Sequence, residues 1–206
     1  VPGPVTSALM AQDPELLVLG RHASSSNHLS RVLRAVLHHL SCPVVVVPPH
    51  DHAPIERIVV GVSETEASAA AARWAADEAA LHHAELVVVH AWQLEPHGWR
   101  DLARPVQAVA LHQRAAENRL RQWVHDTLPG ADPTTLAPHG GPLDVILAAS
   151  AGADLIVVGY SPHERLSRVL HGHIADDLTV LSPCPVAVIP VPTARAEPHP
   201  SAAHGS

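Results

Sequence analysis

The 206-residue sequence predicts an α/β fold: a parallel sheet with helices packed on both faces. Three observations carry that prediction. Short Val- and Ile-rich runs alternate with longer Ala-rich segments, the order in which parallel strands and their crossover helices follow one another. The apolar 47% of the chain is carried by Ala, Val and Leu, with no Phe, one Tyr and four Trp. Small and branched aliphatics of this kind suit strands buried on both faces beneath Ala-rich helices. The third observation is an internal repeat. Leu16–Gly20 (Leu-Leu-Val-Leu-Gly) recurs as Leu155–Gly159 (Leu-Ile-Val-Val-Gly), and Leu-Ser-Arg-Val-Leu at 29–33 recurs identically at 166–170. Cys-Pro-Val at 42–44 recurs at 184–186, each time opening an apolar run that ends in Pro. Shared order and shared residue types mark two copies of one strand–loop–helix–strand unit.

Taken in order, the first copy contributes strands at Leu16–Gly20 and Val44–Val47, and it lacks everything before the fourth strand of a full unit. Arg57–Ser63 reads as a buried strand centred on Ile58-Val59-Val60-Gly61-Val62. Glu66–Leu81 is Ala-rich, free of Gly and Pro, and predicts a helix anchored by Trp74. Glu85–Ala91 is a second Val-rich strand. After a loop containing Pro96, Gly98 and Pro105, residues 106–128 predict a long helix whose inner face carries Leu111, Ala115, Leu120, Trp123 and Val124. Residues 133–138 form a weak strand. Pro142 starts a short helix through Leu143, Val145, Ile146 and Leu147, and Gly152 stops it. Asp154–Gly159 and Pro185–Pro190 supply the last strands. The expected organisation is therefore 1–48, the C-terminal portion of a first domain; 49–54, a linker; 55–191, a complete domain; and 192–206, a polar tail expected to lack structure.

Composition excludes several classes of function. A formal charge of −7 without a Lys/Arg cluster is the wrong electrostatics for a nucleic-acid surface. The longest apolar runs, such as Val44–Val47 and Leu155–Val158, are strand-length and too short to span a bilayer. No signal-peptide pattern opens the chain, and a cytoplasmic location is expected. Cys42 and Cys184 form no disulfide framework and read as small buried side chains opening strands. The 18 His read as scattered surface imidazoles, with a pH sensor as the alternative. Neither a nucleophile–base constellation nor a Walker loop is present, so no enzyme is expected.

In this order, Ile58–Ser63, Ala67-Ser68, Ala71–Ala75, Leu86–Trp92, Gly141-Pro142 and Val145–Leu147 are similar to the universal stress protein family, and Asp154–Gly159 with Cys184–Pro190 completes the pattern. The match covers roughly 56–191 as a whole domain and 15–48 as part of another. The resemblance implies a Rossmann-like five-stranded parallel sheet of the adenine nucleotide α-hydrolase type, in strand order 3-2-1-4-5, followed in tandem from a truncated first copy. It also implies an ATP site in the crevice at the carboxyl ends of the strands. The family's phosphate motif is Gly, two residues, Gly, nine residues, Gly, then Ser or Thr; its glycines bring backbone amides close to phosphate.

Transferred residue by residue, the resemblance implicates Gly61, Val62, Ser63, Ala91, Gly159, Pro162, Gly172, His173 and Ile174 as a nucleotide-binding set. Gly159 and Gly172 match the first and third glycines. Pro162 replaces the second and has no amide proton to donate. His173 replaces the Ser/Thr, and Ser63 replaces the acidic residue that usually ends the first strand. The first copy is further from the motif: Ala23 stands at its second glycine, and Ser30 and Arg31 fall opposite Gly172 and His173. His171 and His173 beside Arg165 and Arg168 suggest a compensating anion contact, against the simpler reading of exposed residues on a degenerate loop. No metal set is evident beyond a His-x-His.

The expected role is a stress-response regulator acting by association with itself or an unidentified protein partner, its nucleotide pocket degenerate. The alternative is an ATP-binding switch. Val44–Val47 and Val186–Ile189 are the expected pairing strands, antiparallel to one another within one chain or between two, because a β-branched edge needs a partner.

Overall fold

The computed structural model describes residues 8–9, 11–12, 14–21, 36, 42–49, 54–93, 106–161 and 174–191. The expected linker residues 50–53, the loop 162–173 and the tail 192–206 lie outside them. The elements in chain order are β1 (Leu17–Gly20), β2 (Val44–Val47), β3 (Arg57–Gly61), α1 (Glu66–His82), β4 (Glu85–Val89), α2 (Val106–Thr127), β5 (Thr134–Leu136), α3 (Pro142–Ala149), β6 (Leu155–Tyr160), α4 (Ile174–Leu181) and β7 (Val186–Pro190).

One sheet runs through all seven strands in the order β1-β2-β7-β6-β3-β4-β5. This corrects the expected five-stranded sheet in both strand count and overall order. The strands of residues 57–190 occupy the stretch β7-β6-β3-β4-β5, and the sheet does not stop at β7, because β2 pairs with it and β1 follows. Every neighbouring pair is parallel except β2–β7, which is antiparallel with Val44 opposite Val188, Val45 opposite Ala187 and Val46 opposite Val186. The two strands expected to need a partner thus pair within one chain. Each is flanked on both sides, β2 by β1 and β7, and β7 by β2 and β6.

The register shows why this seam forms. Leu17 lies opposite Val44 in β1–β2, and Ile156 lies opposite Val186 in β6–β7. These are equivalent residues of the sequence repeat. The incoming bonds are equivalent too: Leu17 N–H donates to the Pro43 carbonyl at 2.9 Å, and Ile156 N–H to the Pro185 carbonyl at 2.9 Å. A Cys-Pro step therefore sets the same parallel pair twice. The antiparallel seam then joins like to like, since exchanging the copies maps the pair Val44–Val188 onto Val186–Val46. It is an isologous junction of the kind a symmetric dimer uses, formed inside one polypeptide.

Both sheet faces are covered across the larger part. On one face α1 and α2 pack over Ile58, Val60, Leu86, Val88, Leu155, Val157, Ala187 and Ile189, with Trp74 and Trp123 half-buried against the cluster. On the other, α3 and α4 cover Val44, Val46, Ile156, Val158, Val186 and Val188, together with Val36. Thr65 caps α1, its hydroxyl accepting from the Ser68 amide at 3.2 Å, and His83 ends the helix in the left-handed region at φ 55°. The inner ridge of α2 is Ala116, Leu120 and Val124, an i, i+4 row that Leu128 continues just past the helix. Leu111, at 68% exposure, and Ala115 point outward, correcting the expected face. The face turns because Gln113 points inward: its side-chain amide donates to the Ala137 carbonyl at 2.8 Å and its oxygen accepts from the Trp92 indole at 3.0 Å.

Candidate functional site

The sequence-expected site residues fall into two groups. Gly61, Val62, Ser63, Ala91, Gly159 and Ile174 line one cleft at the carboxyl ends of β3, β4 and β6, where parallel neighbours diverge from the central strand β3. Pro162, Gly172 and His173 lie outside the described residues, as do His171, Arg165 and Arg168.

Backbone geometry makes the cleft. Strand β3 ends at Gly61, and the chain turns through Val62 and Ser63 into the Thr65 cap of α1. The amide of Val62 donates to the Val89 carbonyl at 2.8 Å, which holds the end of β3 against β4. The Val62 carbonyl accepts from His90 Nδ1 at 3.0 Å, fixing the imidazole at the rim of the cleft. Opposite, β6 carries Val158, Gly159 and Tyr160, and α4 begins with Ile174 and Ala175 at the floor. Two helix N-termini, those of α1 and α4, therefore face the same space. The described walls enclose about 140 Å³, below the roughly 300 Å³ at which most small-molecule clefts begin.

The glycines have a packing reason that the sequence did not show. A Cβ on Gly159 would lie 2.4 Å from the carbonyl carbon and oxygen of Ala67 and 2.8 Å from the Ser68 amide. Glycine here lets the first turn of α1 rest directly on β6, whatever the cleft holds. At Gly61 a Cβ would meet Ile146 Cδ1 at 2.6 Å, so α3 seats closely on β3.

The cleft's chemistry is that of hydroxyls. Ser63 Oγ lies 3.0 Å from Ser68 Oγ and 3.3 Å from Thr65 Oγ1, and the Ser63 amide donates to Ser68 Oγ at 2.9 Å. Ser63 is thus a neutral group already committed to its neighbours. Among the described lining residues there is no Lys, Arg, Asp or Glu; His90 and Tyr160 are the titratable ones. The Tyr160 phenol is held above its usual pKa by burial first and by the nearby Asp176 carboxylate second. Such walls suit the base and ribose of a nucleoside, with small apolar surface on one side and hydroxyls on the other. They supply no cation for a triphosphate. Thr65, Ser68, His90, Ile146, Tyr160 and Ser161 also line the cleft. Sequence reasoning passed over them, although Ser63 through Ser68 carried a signal in the helix-cap spacing of Thr65 and Ser68.

No group of three or more His, Cys, Asp or Glu that could hold a metal ion occurs among the described residues. Both cysteines are buried and unbridged. No described helix is long and apolar enough to cross a membrane.

Comparison with known proteins places this geometry in a lineage. Residues 54–190 match the family model described as the universal stress protein family. A universal stress protein of Mycobacterium tuberculosis strain H37Rv is 29% identical over 187 residues, covering 87% of this chain and 62% of that protein. A universal stress protein of Mycobacterium bovis is 27% identical over 197 residues, covering 89% of this chain and 64% of that protein. The chain thus spans less than two thirds of the length of these curated relatives. Among solved structures, a functionally unknown protein of Pseudomonas aeruginosa PAO1 superposes with a TM-score of 0.68 at 17% identity, covering 91% of this chain and 67% of the other. A universal stress protein of Archaeoglobus fulgidus gives 0.60 at 19%, covering 90% and 64%. At such identities the two structures report on the fold.

Proposed function

Because this chain belongs to the universal stress protein family, we propose that it is a non-enzymatic, cytoplasmic stress-response regulator that works by association with a protein partner and carries a degenerate nucleotide cleft. The observation behind this reading is the cleft itself. It sits where parallel-sheet proteins hold nucleotides, yet its described lining is uncharged, and the hydroxyls of Ser63, Thr65 and Ser68 are bonded to one another. A polyphosphate leaving water needs cationic or amide partners in return for its hydration. The described side chains offer none of the first kind. The first copy is read as the C-terminal portion of a tandem domain, and its β2 occupies the edge of β7 that association would otherwise use. Association then passes to surfaces that the β2–β7 seam leaves open.

The second reading, an ATP-binding switch, is favoured by the convergence of the α1 and α4 N-termini on the cleft, which gives an anion two partial positive charges. Calorimetric titration of the ligand-free chain with ATP and Mg²⁺ separates the two. The regulator reading expects no binding heat up to millimolar ATP. Micromolar binding that is lost on filling the cleft with Ala91→Trp would establish the switch instead. Ala91 serves the test better than Gly159, whose replacement disturbs α1 packing irrespective of ligand.

A further inference from the structure

Helix α4 lies between the first copy of the repeat and the cleft. It is eight residues long, a rod of about 12 Å. A helix that short is not stable alone in water, so what it touches sets where it sits. At its N-terminal end Ile174 and Ala175 line the cleft. In its middle Leu178 is fully buried and joins Ala175 in the cluster that holds Val36, Val44 and Val46, with Leu17 and Leu19 packed against it. Those last five residues all come from the first copy.

The C-terminal end of α4 is held by the first copy as well. The guanidinium of Arg21, just past β1, donates to the carbonyls of Thr179 at 3.0 Å, Val180 at 2.6 Å and Ser182 at 3.0 Å. Carbonyls at this end of a helix have no amide of the next turn to accept from. A planar fork of donors can serve three of them together, which a compact ammonium does less well. In the repeat Arg21 is the equivalent of Tyr160, because each follows the glycine of a Leu-x-Val-x-Gly run. Tyr160 lines the cleft beside the N-terminal turn of α4, where Asp176 is the acidic neighbour of its phenol. The two equivalent residues thus address opposite ends of one helix.

We propose that the first copy sets the position of α4 and, through it, the shape of the cleft, with Arg21 as the positioning residue. This rests on the association role and the cleft proposed above, and it joins them. A partner that engages the first copy near Arg21 alters the cleft. A molecule that fills the cleft alters that partner's affinity in equal measure, since coupling between two binding events is reciprocal.

The test needs no ligand. Tyr160 is the only tyrosine of the sequence and forms part of the cleft wall, so its phenol reports on the cleft by itself. Burial first and Asp176 second hold that phenol above its ordinary pKa, and both causes weaken when the N-terminal turn of α4 moves away. His90, on the far side, is the other titratable group of the described lining. In the full chain, with folding followed by circular dichroism, Arg21→Ala is expected to lower the midpoint of the phenolate absorbance titration. It is also expected to speed nitration of Tyr160 by tetranitromethane several-fold at mildly alkaline pH. Arg21→Lys keeps the charge without the fork and is expected to fall between the two; it carries the same test should the alanine variant fail to fold. Val18→Gly weakens β1 at a residue 59% exposed, on the face opposite Leu17 and Leu19, and is expected to leave both readings unchanged. A Tyr160 that does not respond to loss of the guanidinium overturns the proposal, as does an equal response to Val18→Gly. Calorimetry with ATP and Mg²⁺ is read separately: it decides what the cleft holds, while Tyr160 decides whether the first copy shapes it.

Discussion

The pairs β1–β2 and β6–β7 are one motif in two environments. Their strands are homologous in sequence and identical in register, and each is entered from a Cys-Pro step. Yet β6 is buried on both faces over Leu155–Val158, whereas β1 is half-buried on one face and exposed on the other. The difference teaches that a strand pair is specified locally, whereas its contribution to stability and to a site depends on what is laid over it. Among the described residues the cleft lies beside β6, where β3, α1 and α4 converge.

The comparison is broken most forcefully at its paired glycines. Gly159→Ala drives a methyl into the Ala67 carbonyl and is expected to destabilise the protein by about 3 kcal/mol. The equivalent Gly20→Ala meets nothing within 4 Å and is expected to change stability by less than about 0.5 kcal/mol. Urea unfolding of both variants measures the contrast. Equal effects would mean that α1 does not depend on the close approach at Gly159.

A smaller effect concerns the contact that ties the first copy to the second. Arg21, the residue after β1, donates from its guanidinium to the carbonyls of Thr179 at 3.0 Å, Val180 at 2.6 Å and Ser182 at 3.0 Å. A cation at the C-terminus of α4 satisfies carbonyls that the helix leaves unpaired and complements its dipole. Arg21→Ala is expected to cost about 1.5 kcal/mol. The loss should appear first as faster exchange of the Leu17 and Leu19 amides, before that of β3 or β6. Uniform loosening of the whole sheet would show that the two copies unfold as one unit.

The smallest expected effect is on pH. Burial, the largest cause, raises the Cys184 thiol above its ordinary pKa; hydrogen bonds from Ser182 and the backbone pull the other way, and Asp154 adds a small upward push. Tyr160 is raised as well. An acid whose folded pKa is raised is deprotonated first in the unfolded chain, so the unfolded state binds fewer protons between the two values. The stabilisation is full below the unfolded thiol pKa of roughly 8.5 and declines as pH rises through the folded value. Urea midpoints at pH 7 and pH 9.5 should show this decline, and Cys184→Ala should reduce it. An unchanged slope in that variant would assign the alkaline loss to other groups.

Much of this architecture was legible in the sequence. Val-rich runs marked β3, β4, β6 and β7, Ala-rich stretches without Gly or Pro marked α1, and the recurring Cys-Pro-Val announced that β2 and β7 are equivalents. The site was half legible. Gly61, Val62, Ser63, Ala91, Gly159 and Ile174 were implied by the family resemblance, and they line one cleft. Thr65 and Ser68 were passed over although their spacing at a helix start marks a cap, and His90 and Tyr160 because single side chains have no periodicity to mark them. The outer face of α2 was misread for a related cause: Leu111 fits an apolar stripe, but the helix turns to bring Gln113 to Trp92 and Ala137.

By itself the sequence determined which segments are strands, which pairs are parallel and that two copies of one unit exist, since periodicity, chain direction and repetition are local properties. The tertiary structure alone decided that the sheet has seven strands, that β2 closes on β7 within the chain, and that Gly159 serves a helix contact as much as a cleft. The physical reason is that a β-branched edge states its need for a neighbour in its own residues. The identity of that neighbour is settled by whichever segment the rest of the fold brings within hydrogen-bonding distance.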